Sequence, residues 1–351
     1  MITIDGNHGE GGGQLVRMSC ALSALTGRPV RLINVRARRA PPGLAPQHLA
    51  AVQAGAQLCN AETEGLALRT REFTFRPGPI RGGDYRFDVG TAGSITLVLQ
   101  AVLPVALAAP AASTFHVIGG TDVKAAPAFD YFRYIFVPLL QRLGLDVRVT
   151  LARRGYYPRG GGEAEVTVQP GTPSPLTLDA PGALQELGGI AHVANLPAHI
   201  VERMQHTATQ VLAEHGNARI QTQLLGHAEA IGQGGAIVLW ARLANTLLGG
   251  SEVAQRGIPA ERIAEHAAYA LRAELRAGVT LDLHAADQLL IYLALTGKPA
   301  HFTARAYSSH AQTTAWLIER FLPVRISAGS AGAGQRIAVD LLKETSPERV
   351  V

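Results

Sequence analysis

Cysteine is almost missing from this chain of 351 residues: only Cys20 and Cys59 occur. Each sits in an apolar helical pattern with no neighbouring cysteine or ligand-spaced histidine, so neither a disulfide framework nor a zinc site is indicated. Aromatic residues make up 5% and charged residues 17%, against 47% hydrophobic. Few rings and many small aliphatic side chains describe a compact fold and argue against disorder. Long uninterrupted apolar runs are also lacking. The longest stretch, Ile95 to Ala112, is broken by Gln100, Pro104 and Pro110 and reads as a buried helix, not a membrane span. The start, Met1-Ile2-Thr3-Ile4-Asp5-Gly6, has no basic region followed by an apolar one. No signal peptide and no membrane attachment are therefore expected, and the cytoplasm is the expected location.

What is abundant is glycine, with 38 residues, and a formal net charge of +5 that suits an anionic partner such as a nucleotide or nucleic acid. The periodicity predicts a helix over 14–26, a strand over 29–35, a helix over 46–59 and a strand or strand pair over 66–75. The same order returns from Gly93, with helices to about Ala108 and over 129–143 and strands over 114–118, 146–152 and 163–168. It returns again with helices 286–295 and 309–321 and strands 301–306, 324–328 and 335–339. Three such units could share one core, where each alone would expose a sheet face. The segment from about 180 to 278 breaks the order and follows a Pro/Gly/Thr/Ser-rich stretch, as an inserted unit would. The expected fold is therefore α/β (α+β): three repeats in a discontinuous large domain, 1–180 plus 279–342. A smaller α/β domain, 181–278, is inserted before the third repeat, and 343–351 form a tail.

Each unit carries its reactive side chains just before or at the start of its second helix: Arg36, Arg38, Arg39, Gln47 and His48; Thr121, Asp122 and Lys124; Ser308, Ser309 and His310. Unpaired N–H groups and the helix dipole favour phosphate at such positions. If the units pack around a common centre, these helix starts could converge. Glycine loops at 9–13, at 82–83 with 90–93, and at 160–162 allow close backbone approach to a phosphate, although 160–162 reads better as an ordinary turn. Neither G-x-x-x-x-G-K-[ST] nor a G-x-G-x-x-G after the first strand is present, which disfavours a P-loop or Rossmann site. Glu10, among the glycines, is either a solvated turn carboxylate or the holder of a cation such as Mg²⁺ shared with phosphates. His310 lies between hydroxyl residues where a strand gives way to a helix. An unperturbed imidazole is about three quarters neutral at pH 7 and so available as nucleophile or base, although a lone histidine is more often structural.

Eight segments in order resemble the RNA 3′-terminal phosphate cyclases: Asp5-Gly6 with Gly9 to Gln14; Arg39 through Gly43 to Leu49; Arg81 to Tyr85; Gly93 to Gln100; Gly119 to Asp122; Tyr157-Pro158 with Gly160 to Gly162; Asp287 to Leu289; and His310 with Glu319 to Val324. The resemblance implies three βαβαββ-type repeats with an inserted small domain. It also implies an ATP-dependent reaction on an RNA ending in a 3′-phosphate. His310 would be adenylylated with release of pyrophosphate, AMP would pass to the RNA phosphate, and the adjacent 2′-OH would close a 2′,3′-cyclic phosphate. Matched by position, Gln100, Pro127, Tyr131, His284, Ala285, Ala286, Asp287 and Gln288 correspond to the ATP site, and Glu10 to the ligand of Mg²⁺ or Mn²⁺. Arg17, Arg36, Arg39 and Gln47 are the candidates for the substrate phosphate. His284 stands where the family often has a tyrosine against the base. Relatives that act as RNA-binding factors lack the nucleophilic histidine, and an enolpyruvyl-transferase-like enzyme would leave Asp287-Gln288 and His310 unexplained.

Overall fold

A computed structural model describes residues 1–342, and the expected tail lies outside the described residues. The first unit runs β1 (Ile2–Asp5), α1 (Gly13–Thr26), β2 (Val30–Ile33), α2 (Pro46–Leu58), β3 (Glu62–Glu64) and β4 (Phe73–Arg76). Its sheet has the order β1-β2-β4-β3, with β1 and β2 parallel and the other pairs antiparallel. The second unit repeats this connectivity with β5 (Gly83–Asp88), α3 (Ile95–Leu107), β6 (Ser113–Gly119), a helical stretch, β7 (Val147–Gly155) and β8 (Gly162–Val168). That helical stretch comprises α4 (Phe129–Tyr131), a wider π turn (Phe132–Phe136) and α5 (Val137–Arg142).

Residues 184–277 contribute β9 (Leu184–Ala194), α6 (Ala198–Leu212), β10 (Arg219–Leu225), β11 (Ala230–Ile231), β12 (Gly234–Leu243), β13 (Leu247–Val253) and α7 (Ala260–Ala277). They form a four-stranded sheet, β10-β9-β12-β13, over a separate apolar cluster with α6 and α7, while β11 joins the edge of the second unit's sheet beside β7. The chain closes with α8 (Leu283–Leu295), β14 (Ala300–Ala304), α9 (Ser309–Phe321), β15 (Val324–Ala331) and β16 (Gly334–Leu341). Thr177 bridges His301 in parallel, which is where β1 and β5 stand beside their neighbours. The third unit thus begins with this short extended piece, and the 184–277 segment interrupts it after its first step.

The helices meet between the sheets: α1 packs on α3 and α9, α2 on α3, and α8 on α9. Their apolar faces and the inner faces of the three sheets form one cluster extending from Ile4 to Val339. Local chemistry fixes where the helices start. Ser94 accepts from the Leu97 N–H at 3.3 Å, Asp282 from His284 and Ala285 at 3.0 Å each, and Ser308 from Ala311 at 3.0 Å. Such caps contribute about 1 kcal/mol each.

Four readings are corrected or refined. Residues 66–72 form a loop, not a strand, because the pairing falls on 62–64 and 73–76 instead. Gly83 opens β5 and Gly82 precedes it against the backbone of 111–112, so strand packing accounts for this pair without a phosphate. The helix expected over 129–143 is present over 129–142 but is not regular, because a π turn occupies its middle. Pro138 has no N–H and crowds the preceding turn, and the Val137 N–H reaches back five residues to Phe132. Finally, Thr121 and Asp122 do not join the other two helix starts. Asp122 is buried, bonded through Oδ2 to Arg154 at 3.2 Å, and Arg154 also holds Asp130 at 2.6 Å. His192 of β9 completes this buried cluster, 3.6 Å from Asp130 and bonded through Nδ1 to the Tyr156 hydroxyl at 2.9 Å.

Candidate active site

The glycine loop that precedes α1 meets the start of α9. Glu10 Oε1 accepts a 2.5 Å hydrogen bond from the Ser309 hydroxyl, and its Oε2 lies 2.9 Å from His310 Nε2. The first turn of α1 supplies Gln14, whose Oε1 is bonded to His310 Nδ1 and whose Nε2 donates to Thr314 Oγ1 at 2.7 Å. The second bond sets the orientation of the Gln14 amide, and an amide oxygen only accepts. His310 therefore holds a proton on Nδ1, as assigned from this network, and Nε2 is the nitrogen that carries the lone pair once the ring is neutral.

A neutral imidazole nitrogen and a carboxylate oxygen cannot hold a 2.9 Å contact without a proton or a cation between them. Burial lowers the His310 pKa below its usual value, and nearby Glu10 works in the opposite direction. The imidazole is thus poised to give up this proton, leaving the carboxylate free to turn to a cation. Among the described residues no group of three or more His, Cys, Asp or Glu side chains is placed to hold a metal. A single carboxylate fits a hard divalent ion that takes most of its ligands from phosphate oxygens, as Mg²⁺ and Mn²⁺ do.

Positive charge surrounds this pair. Arg39 donates to the Glu10 carbonyl at 3.3 Å, Arg38 to the Asn7 carbonyl at 2.8 Å, and Arg36 to the Gly43 carbonyl at 2.7 Å. Beneath them His48 accepts from the Ala45 N–H through Nδ1 at 3.3 Å, so the start of α2 is capped by an imidazole. Burial, then Arg17 and Arg36, push its pKa down to about 3, which keeps it neutral among the arginines. The ring presses on the backbone of Gly13, and any side chain there would overlap it. This contact explains a glycine inside the first turn of α1 better than phosphate access does.

Behind His310 a chain of side chains crosses from α1 through α3 to α8. Arg17 donates to Gln100 at 3.3 Å, Gln100 to Gln288 at 2.8 Å, and Gln288 to the His284 carbonyl at 2.9 Å. Gln14, Arg17, Gln100, Asp287 and Gln288 line a small cavity of about 20 Å³. Burial lowers the Arg17 pKa to about 10, partly offset by Asp287, and it remains a cation at neutral pH. Burial and then Asp282 raise the Asp287 carboxyl well above its usual range, against the pull of Arg17.

The remaining candidates fall around this chain. His284 is exposed, and Tyr131 lies beneath it, edge-on at 6.0 Å, fully buried with its hydroxyl on Asp282 at 2.6 Å. The Pro127 carbonyl accepts from Thr96 at 2.9 Å, and Gln47 Oε1 faces the Ser94 N–H at 3.5 Å. Ala285 and Ala286 point into the core and can offer a ligand only backbone. The structure therefore brings Glu10, Arg17, Arg39, Gln100, Gln288 and His310 around one centre, whereas Tyr131 reaches it only through His284. Ser309 was singled out from sequence only as part of a helix start, and Gln14 and Thr314 had no role assigned. A spacing signal existed for one of them: Thr314 follows His310 by one turn of α9.

The sequence profile described as RNA 3′-terminal phosphate cyclase matches residues 8–328. A protein named RNA 3′-terminal phosphate cyclase from Nitrosospira multiformis is 52% identical over 93% of this chain and 92% of its own length. One of the same name from Pyrobaculum neutrophilum is 40% identical over 97% of this chain and 98% of its own. The solved structure of an EPSP synthase from Acinetobacter baumannii aligns over 92% of this chain and 62% of its own, with a TM-score of 0.26 at 12% identity, too weak a likeness to bear on either fold or activity.

Proposed function

Because this chain belongs to the RNA 3′-terminal phosphate cyclase family, we propose that it uses ATP to convert an RNA 3′-phosphate end into a 2′,3′-cyclic phosphodiester. The observation that carries the mechanism is the Gln14–His310–Glu10 line, which leaves Nε2 of His310 as a nucleophile inside a ring of arginines. In the first step His310 Nε2 bonds to the α-phosphorus of ATP and the bond to pyrophosphate breaks. In the second step an oxygen of the RNA 3′-phosphate takes the AMP from His310. In the third the neighbouring 2′-OH attacks that RNA phosphorus, loses its proton and expels AMP.

A phosphate monoester has no good leaving group, so activation must precede ring closure, and the 2′-OH is already held beside the phosphorus. Arg17, Arg36 and Arg39 supply fixed positive charge to phosphate oxygens, with Gln47 at the helix start nearby. Glu10 would hold Mg²⁺ or Mn²⁺, which offsets triphosphate charge when bound. Gln100, Gln288, Asp287 and the exposed His284 form the wall against which the nucleotide would lie, with Pro127, Ala285 and Ala286 as its backbone rim and Tyr131 as its support.

The test uses two oligonucleotides that differ only at the 3′-terminal sugar. With ATP and Mg²⁺ the ribose end should give cyclic product, whereas the 2′-deoxy end should accumulate as the adenylylated species. Turnover of the deoxy end to a cyclic product would exclude the pathway. A second expectation concerns Gln14 as a positioning residue. Gln14→Ala frees the His310 ring and should slow AMP transfer to the enzyme about 10- to 100-fold, with KM for ATP little changed. Gln14→Glu keeps an acceptor for Nδ1–H and adds negative charge, so it should recover part of the rate and move the acid limb of the pH profile upward. Equal rates and profiles for the Ala variant and the parent would rule the positioning role out.

A further inference from the structure

The positive charge at the site does not end at Arg39. The loop 36–44 that presents it lies against the loop 66–72: the Arg69 N–H donates to Leu44 at 2.8 Å, the Leu44 N–H to Thr70 at 3.1 Å, and the Val35 N–H to Arg71 at 2.9 Å. Contacts therefore run from His310 to Glu10, from Glu10 to Arg39, and through the loop of Arg39 to Arg69 and Arg71. Arg38, Arg39, Arg69 and Arg71 are all exposed. Among the described residues none of the four has a carboxylate within ion-pair distance: the Glu72 carboxylate is held by Arg31, and that of Glu10 by Ser309 and His310.

Four exposed cations on two touching loops, none paired with a carboxylate among the described residues, give this surface a positive field that favours a polyanion lying across it. Next to Arg69 in the chain Leu68 is 51% exposed, one of few large apolar side chains left in water, and it offers a surface for a sugar or base face. Arg36 and Arg69 both have left-handed backbone, with φ of 49° and 63°, a conformation that side chains other than glycine rarely adopt.

We propose that this surface is the track for the RNA strand upstream of its 3′ end, with Arg38 and Arg39 nearest the reacting phosphate and Arg69 and Arg71 on phosphodiesters further along. The assignment rests on the cyclase reading above. A single-stranded polyanion fits better than a nucleotide because the surface extends past the loop 36–44 that touches Glu10 to a second loop that carries Arg69 and Arg71. Guanidinium contacts to the backbone fix the strand without reading its sequence, so the track predicts preference by length and not by base.

The test compares the parent with R69A/R71A, two exposed changes outside the reacting centre, and with R69K/R71K, which keeps the charge. AMP uptake from labelled ATP without RNA should be unchanged in both variants. For a hexanucleotide ending in a 3′-phosphate, KM should rise about tenfold in R69A/R71A and return most of the way in R69K/R71K, while a dinucleotide should stay within about twofold throughout. The slope of log affinity for the hexanucleotide against log salt should fall by about 1.4, or about 0.7 for each phosphate no longer neutralised. An unchanged hexanucleotide KM, an equal loss on the dinucleotide, or slowed AMP uptake would each overturn the track, the last by giving these arginines to the nucleotide. Anisotropy of a labelled hexanucleotide makes the same comparison without chemistry. A protein that binds RNA through these arginines but takes up no AMP would refute the cyclase reading and leave the track standing.

Discussion

His310→Ala is expected to take up no acid-labile label from α-labelled ATP and to lose cyclisation by about four orders of magnitude or more. Removing a covalent nucleophile removes the intermediate itself, and what survives is only the binding and electrostatic assistance of the surrounding groups. The informative contrast is Ser309→Ala. That change deletes the 2.5 Å hydrogen bond to Glu10 and leaves the imidazole in place, so it should slow uptake without abolishing it. The pH profile gives a second check. Attack needs the lone pair on Nε2, burial lowers the His310 pKa, and uptake should therefore rise from acid pH through a value below the ordinary 6.5. If the Ala variant retains label like the parent, some other residue is the acceptor and the mechanism built on His310 is lost.

The second large effect concerns stability and lies away from the chemistry. Arg154→Met should cost about 3–5 kcal/mol, read from the denaturant midpoint, because it strands two buried carboxylates that share one guanidinium. Asp122 and Asp130 are each no more than 2% exposed and Arg154 is 4% exposed. Burial by itself would drive the arginine's pKa down, and the two carboxylates more than reverse this, which measures how far the three charges depend on one another. The control is an ion pair of even closer approach on the surface, Arg203 with Glu261 at 2.5 Å, where both partners are solvated. Arg203→Met should leave the midpoint where it is. Because His192 brings the strand β9 into the same cluster, the Arg154 change should also loosen the 184–277 segment, seen as faster amide exchange in β9. A midpoint shift as small as that of the surface pair would show that the cluster is solvated in solution.

The parts of this molecule that could be read from sequence were those with a local cause. Helix α9 was legible to the residue because Ser308 caps it and its apolar face keeps helical spacing through Phe321. Strand β13 was not, since Gly249 and Gly250 break the usual strand pattern. They are required because Tyr131 and the backbone of α7 crowd against them, a constraint set by distant elements. The same division holds at the site. Glu10 and His310 announced themselves as a carboxylate among glycines and an imidazole at a helix start. The pairing of Arg17 with Gln100 and of Gln100 with Gln288 spans 83 and 188 residues and depends on how α1, α3 and α8 meet. Asp122 misled for the same reason. It shares its place in the repeat with Arg39 and His310, but the segment 184–277 covers it and supplies His192, and no local rule shows that a charge has been roofed over.

The two ends of the reacting centre are also separated in time. Glu10 leaves the ribosome about 300 residues before His310, which at 5–20 residues per second is roughly 15 s to 1 min. Throughout that interval the growing chain has its carboxylate and arginines but no atom to accept AMP. On the proposed mechanism a product cut short anywhere before α9 would therefore consume no ATP and leave no RNA end half-activated, so an error in synthesis would yield an inert chain in place of a leaky enzyme.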